Sequence, residues 1–225
     1  MGSFILAFAF ATGAVVLAEM GDKTQLLAMA FATKYKASKV MWGVFIATIL
    51  NHALAVAVGN FITRFDSIQV WIQGLAALSF IFFGLWTIKG DKLEGEENRT
   101  TKFGPVATVA VAFFIAEMGD KTQLATIAIA TRFPEHPVGV LMGTTIGMMI
   151  ADGIGIIVGI VLRKRIPERT VKSVSALIFI LFGLIGSAEV AYAQLRLSPL
   201  ATCALVALLT VATGVCARMI IKSDE

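Results

Sequence analysis

Nine residues, Ala-Glu-Met-Gly-Asp-Lys-Thr-Gln-Leu, occupy positions 18–26 and occur again at 116–124. Both copies lie inside apolar stretches. A charged side chain at the centre of a membrane helix costs roughly 2.5–3.5 kcal/mol on insertion scales. Bearing that penalty twice, with the same residues in the same order, points to ion handling. Glu19 and Asp22 are three apart and share a helix face, Gln25 extends the row, and Thr24 adds a hydroxyl. Glu117, Asp120, Thr122 and Gln123 repeat the set. These eight are the candidate metal ligands. All are oxygen donors, which suit Ca²⁺, Mg²⁺ and Mn²⁺, whereas Zn²⁺ and Cu⁺ sites draw on Cys, His or Met. Neither motif holds Cys or His, and Met20 and Met118, beside the glutamates, are expected to pack.

Charge counting adds a mechanism. The two Glu and two Asp of the motifs carry −4, and Lys23 and Lys121 return +2. The net −2 is neutralised by one divalent cation or by two protons, so one site can hold the ion on one stroke and protons on the return. Lys23 and Lys121 are assigned to charge tuning, by pairing with the acids or by reaching away from them. Gly21 and Gly119 have two readings, close helix packing or a helix break that frees backbone carbonyls. Asp152 is expected mid-span and is a functional candidate by default. His52 aligns with it, beside Asn51, and Asp152 and His52 are the candidate proton-relay residues. Glu189 is expected to be solvated near a span end.

Such chemistry has to be held by membrane helices. Of the 225 residues, 57% are hydrophobic and only 15% charged, and the mean hydropathy is +0.84. These values exclude an ordinary soluble protein. The net charge of +4 is not a nucleic-acid-binding face, because the basic residues fall between apolar runs. No cofactor is expected. Cys203 and Cys216 read as small core residues and not as a redox pair. The first apolar run lacks a basic leader and is not expected to be a cleaved signal.

At about 20 residues per crossing, spans are expected at 4–33, 40–63, 69–88, 105–131, 138–162, 171–188 and 199–220. Fourteen Lys and Arg follow alternate spans: Lys34, Lys36 and Lys39, four between Lys89 and Lys102, five between Arg163 and Lys172, then Arg218 and Lys222. Only Arg64, Arg132 and Arg196 fall on the other side. The positive-inside rule then predicts an outside N-terminus and a cytoplasmic C-terminus, which leaves the sequon at Asn98 unused.

The repeat extends past the motif. Gly43 and Gly59 recur as Gly143 and Gly159, and the run Ala77–Leu85 resembles Ala176–Leu184. The fold class expected is all-α integral membrane, with two three-helix repeats and a C-terminal seventh helix. The units are 1–88, a cytoplasmic linker 89–104, then 105–188, then 189–225. Three is odd, so the second repeat is inverted, an arrangement that brings equivalent sites together near the midplane.

Twin Glu-x-Gly-Asp-Lys-Thr motifs, Glu19–Thr24 and Glu117–Thr122, resemble the signature of the GDT family of cation/proton exchangers, over nearly the whole chain. The resemblance implies a cation-binding role for Glu19, Asp22, Glu117 and Asp120. Eukaryotic members exchange Ca²⁺ and Mn²⁺ for protons in organelles, and bacterial members are implicated in Mn²⁺ export. The short central loop looks like the compact bacterial branch, while the seventh span departs from the two-unit pattern. The expected function is export of Mn²⁺ against protons by a multi-pass protein of the cell (inner) membrane. The nearest rival is a Ca²⁺/H⁺ antiporter, served by the same oxygens. An intramembrane metal-dependent enzyme acting on a diphosphate would need Arg or Lys beside the acids at a membrane surface. A structural scaffold leaves six buried charges unexplained. No Walker-type Gly-Lys-Ser/Thr loop is present, so ATP-driven pumping by this chain is not expected.

Overall fold

Hydrocarbon offers no partner for backbone N–H and C=O groups, so long apolar runs must satisfy them internally, as helices. The computed structural model describes residues 2–64, 69–89, 101–158 and 168–223. Among them are nine α-helices and no strand: α1 (Gly2–Glu19), α2 (Lys23–Lys34), α3 (Ala37–Ile62), α4 (Gln69–Lys89), α5 (Pro105–Glu117), α6 (Lys121–Arg132), α7 (Pro137–Ile156), α8 (Glu168–Glu189) and α9 (Pro199–Ser223). A π-helical turn, Val190–Gln194, continues α8. Pro105 and Pro137 open α5 and α7, where the missing N–H would lack a helical acceptor anyway.

Six helices among the described residues are long and apolar enough to cross a membrane: Gly2–Glu19, Ala37–Ile62, Val70–Ile88, Pro137–Ile156, Lys172–Gln194 and Pro199–Lys222. The chain is therefore an all-α, multi-pass membrane protein. The first and fourth expected spans are each broken in two. α5, with 13 residues, is about 20 Å long at 1.5 Å per residue, too short to cross alone. Most of the linker, residues 90–100, lies outside the described residues, as do 159–167 with the end of the fifth span and Arg163–Arg165.

The helices pack reciprocally. α1 lies along α7 and α3 along α5; α2 touches α7 and α6 touches α3; α4 and α8 pack on each other. The α1–α7 contact thus has its sequence-repeat counterpart in α5–α3, and α2–α7 in α6–α3. Two cores result. One joins Ala11, Ala18, Phe80, Phe83, Ala125, Ile129 and Phe179. The other joins Val15, Leu27, Phe31, Val44, Val109, Phe113 and Met148.

α9 packs against α4 and α8 but leaves Leu208, Val211, Val215 and Met219 outward, a surface suited to lipid. Cys203 and Cys216 are exposed there and are not core residues. An all-round apolar helix carries no mark of which face it buries.

Candidate cation centre at the paired helix breaks

Each motif is a helix end followed by a helix start. Glu19 and Glu117 are the last residues of α1 and α5, and Asp22 and Asp120 are the N-caps of α2 and α6. Between them Gly21 has φ +75° and Gly119 φ +74°, a left-handed conformation that glycine enters without steric penalty. A Cβ at Gly119 would meet nothing within 4 Å. Of the two readings of these glycines, the break is what the structure contains, and at Gly119 close packing is not the reason for glycine. Asp22 N–H and Asp120 N–H reach back to the Glu19 and Glu117 carbonyls at 3.0 and 3.1 Å.

The glutamines brace the breaks. Gln25 Oε1 accepts from Gly21 N–H and Gln123 Oε1 from Gly119 N–H, both at 2.8 Å. Their amide nitrogens reach the opposite half: Gln25 Nε2 donates to the Ala151 carbonyl at 2.6 Å, and Gln123 Nε2 to Asn51 Oδ1 at 2.9 Å. Asn51 in turn donates to the Phe114 carbonyl. Both glutamines also lie near the methionine sulfurs, Met20 and Met118, at 3.6 and 3.9 Å. Met118 is half exposed and does not pack as expected. It sits at the turn itself, which projects it outward.

The acids converge. Glu19, Glu117 and Asp120 each present an oxygen, all within 4.8 Å of one another, and Glu19 and Glu117 are fully buried. Identical motifs do not have identical surroundings. Thr24 and Thr122, one from each half, both donate to the Glu19 carboxylate, whereas neither oxygen of Glu117 has a hydrogen-bond partner. Lys121 is buried, with its Nζ 2.5 Å from Asp22 Oδ1; Lys23 is half-buried. The Lys121–Asp22 contact is a buried ion pair. Asp120 Oδ1 caps its own helix by accepting from Lys121 N–H at 2.6 Å, and its other oxygen has no hydrogen-bond partner.

Asp152 and His52, at equivalent depths of α7 and α3, are buried with no hydrogen-bond partner for any side-chain polar atom. Asp152 lies within electrostatic reach of Glu19 and Asp22, next to the Ala151 carbonyl that Gln25 grips. Glu189 is exposed, as expected, but it also pairs with Arg132 at 2.9 Å, a contact the sequence did not suggest. That pair lines a cavity of about 480 Å³ with Phe10, Phe80, Phe133 and Phe182; no motif residue lines it.

Buried carboxylates with unshared oxygens are rare because an unpaired charge in low dielectric is unstable. Several converging at paired helix breaks define a cation-handling membrane protein. The comparisons give the family. The profile described as "Divalent cation/proton antiporter GDT1" matches residues 7–95 and 105–194, and the chain belongs to that family. It is a cation/proton antiporter and not an enzyme. A Vibrio cholerae protein named "Putative manganese exporter" is 36% identical over 181 residues, covering 80% of this chain and 88% of the relative. Arabidopsis thaliana GDT1-like protein 5 is 28% identical over 226 residues, covering 82% and 96%. Oryza sativa subsp. indica GDT1-like protein 3 is 28% identical over 200 residues, covering 76% and 69%. No solved structure matches the chain.

Proposed function

We propose that the chain exports Mn²⁺ from the cytoplasm in exchange for protons, through one centre shared by both motifs. The observation that carries this is the meeting of Glu19 with Glu117 and Asp120 across the two halves. Glu19, Asp22, Glu117 and Asp120 supply the charge that holds the ion. Thr24 and Thr122 offer hydroxyl oxygens and hold Glu19 in place, while Gln25 and Gln123 tie each break to the opposite half. Asp152 is the candidate proton relay on one side and His52 its counterpart on the other.

The halves are read as inverted three-helix repeats that rock about this centre, a reading supported by their reciprocal packing. The N-terminus is assigned outside and the C-terminus to the cytoplasm of a cell (inner) membrane, on the distribution of Lys and Arg. Mn²⁺ as the cargo rests on the Vibrio cholerae relative's name. Ca²⁺ is the second reading, because an oxygen-only centre serves both ions.

Flux into inverted vesicles tests the whole reading. Mn²⁺ should accumulate when the lumen is acid, releasing lumenal protons, and Ca²⁺ should compete. Transport indifferent to the pH gradient would defeat the exchange mechanism. Faster flux of Ca²⁺ than of Mn²⁺ would move the assignment to the second reading.

A further inference from the structure

We infer that Lys121 is a tethered placeholder cation, one that holds Asp22 apart from the other motif acids until a divalent ion takes Asp22 from it. The inference rests on the cation centre proposed above and concerns how that centre gains and releases its ion.

Lys121 and Asp22 belong to opposite halves, and their side chains are 3% and 2% exposed. The ammonium sits in the field of three acids, Asp22, Asp120 and Glu19, where a cargo ion's charge would also be felt. The triad within 4.8 Å is Glu19, Glu117 and Asp120; the fourth motif acid, Asp22, lies outside it, against Lys121. Asp22 Oδ2 has no hydrogen-bond partner, and Oδ1 is taken up by the Lys121 ammonium at 2.5 Å. The carboxylate is therefore held by a single cation, for which a second cation can compete.

An ammonium cannot coordinate a metal, but it can stand in for one. A divalent ion entering the triad repels Lys121 and attracts Asp22, so the pair opens as the fourth carboxylate joins the ion. On release, Lys121 recloses on Asp22 and compensates that carboxylate, leaving the charge of the triad to protons. Competition of this kind weakens binding and speeds departure, as a transporter requires.

Mn²⁺ titration of the full chain in detergent, with transport in proteoliposomes, tests this. K121Q should bind Mn²⁺ at least about fivefold tighter, within the range of common site couplings. Its KM and kcat should fall together, because release slows. K121R keeps the charge and should restore parental affinity. A Lys121 that serves only as a structural anchor predicts instead that folded K121Q binds as the parent does, or more weakly, and either result overturns the inference. Should K121Q fail to fold, the pair is followed in the parent itself: with D22N identifying the Asp22 infrared band, that band should shift to a metal-bound carboxylate when Mn²⁺ is added to the full chain. An Asp22 band that bound Mn²⁺ leaves unchanged would reject the placeholder role. If the parent itself binds no Mn²⁺ or Ca²⁺, the cation centre fails and takes this inference with it; if the parent binds and the variants do not differ, the inference alone fails.

Discussion

Gly84 and Gly183 make the same contact from opposite sides of one helix pair. A Cβ on Gly84 would stand 2.8 Å from the Ala176 carbonyl oxygen and strike Ile180, while one on Gly183 would stand 2.7 Å from the Ala77 carbonyl oxygen and strike Ile81. Each partner is displaced by 99 positions from its equivalent, so α4 and α8 touch through one patch used twice. With no hydrophobic force between helices in lipid, close approach at small residues is what holds such a pair.

G84A and G183A should therefore each destabilise the protein, by about 1–3 kcal/mol for an overpacked contact. Gly74 is on the same helix, and the nearest atom to a Cβ there is 3.9 Å away, so G74A should be close to neutral. Thermal unfolding in detergent separates the three. Equal stability of G84A and G74A would mean that the α4–α8 contact yields without strain.

The acid triad makes a sharper demand on transport. E19Q and E117Q should each reduce flux to background while leaving the folded, inserted protein intact, because each removes one charge from a centre built by both halves. E117Q is the cleaner test: Glu117 has no hydrogen-bond partner to lose, whereas Glu19 also anchors Thr24 and Thr122. Normal flux in a folded E117Q would mean that the centre is not shared.

Much of this was legible in the sequence, and the limits have physical causes. Three of the four motif acids present oxygens within 4.8 Å of one another, with Asp22 held apart against Lys121, and the all-helical membrane architecture follows from the apolar runs. The helix breaks left a signal that hydropathy hides: Gly21 then Asp22, with Gln25 three residues on, is a helix-stop followed by a helix-start. Averaging over an apolar window reads straight through it. The inequivalence of the motifs was not legible at all. Thr122 turns to Glu19 and Lys121 is buried against Asp22, yet the nine residues are the same in both copies. Only their neighbours differ.

The glutamines give a prediction about folding separate from ion binding. Gln25 joins the Gly21 turn to the Ala151 carbonyl of the other half. Q25L leaves the Gly21 N–H without its acceptor and removes the tie to the Ala151 carbonyl, and should destabilise the protein by about 1–3 kcal/mol, read as a lower unfolding temperature both with and without Mn²⁺. A variant as stable as the parent that binds Mn²⁺ much more weakly would instead make Gln25 a ligand.

Topology follows from the basic residues and can be checked directly. In a background with Cys203 and Cys216 replaced by Ser, a cysteine at Ser3 should react with a membrane-impermeant reagent added outside cells. One at Ser223 should react only after permeabilisation. The opposite pattern would reverse the direction of export.

Asp120 and Thr122 distinguish charge from mere oxygen supply. D120N keeps the shape and one oxygen but removes a charge, and the Asp120 oxygen that accepts from Lys121 N–H can be kept by the amide carbonyl. Its helix cap survives, so a change in binding reports the ion and not the fold. T122V removes a hydroxyl that donates to Glu19 and leaves every charge in place. If charge neutralisation drives binding, divalent affinity should fall steeply in D120N, by about tenfold or more for a lost interaction of 1.4 kcal/mol or greater, and distinctly less in T122V. Mn²⁺ and Ca²⁺ should bind ahead of Mg²⁺, which sheds water reluctantly and demands near-octahedral geometry, and Cu⁺ should not bind. Titration of both variants with each ion decides it. D120N binding Mn²⁺ as tightly as the parent would place the metal elsewhere, with Asp152, buried and without a hydrogen-bond partner, the next residue to change.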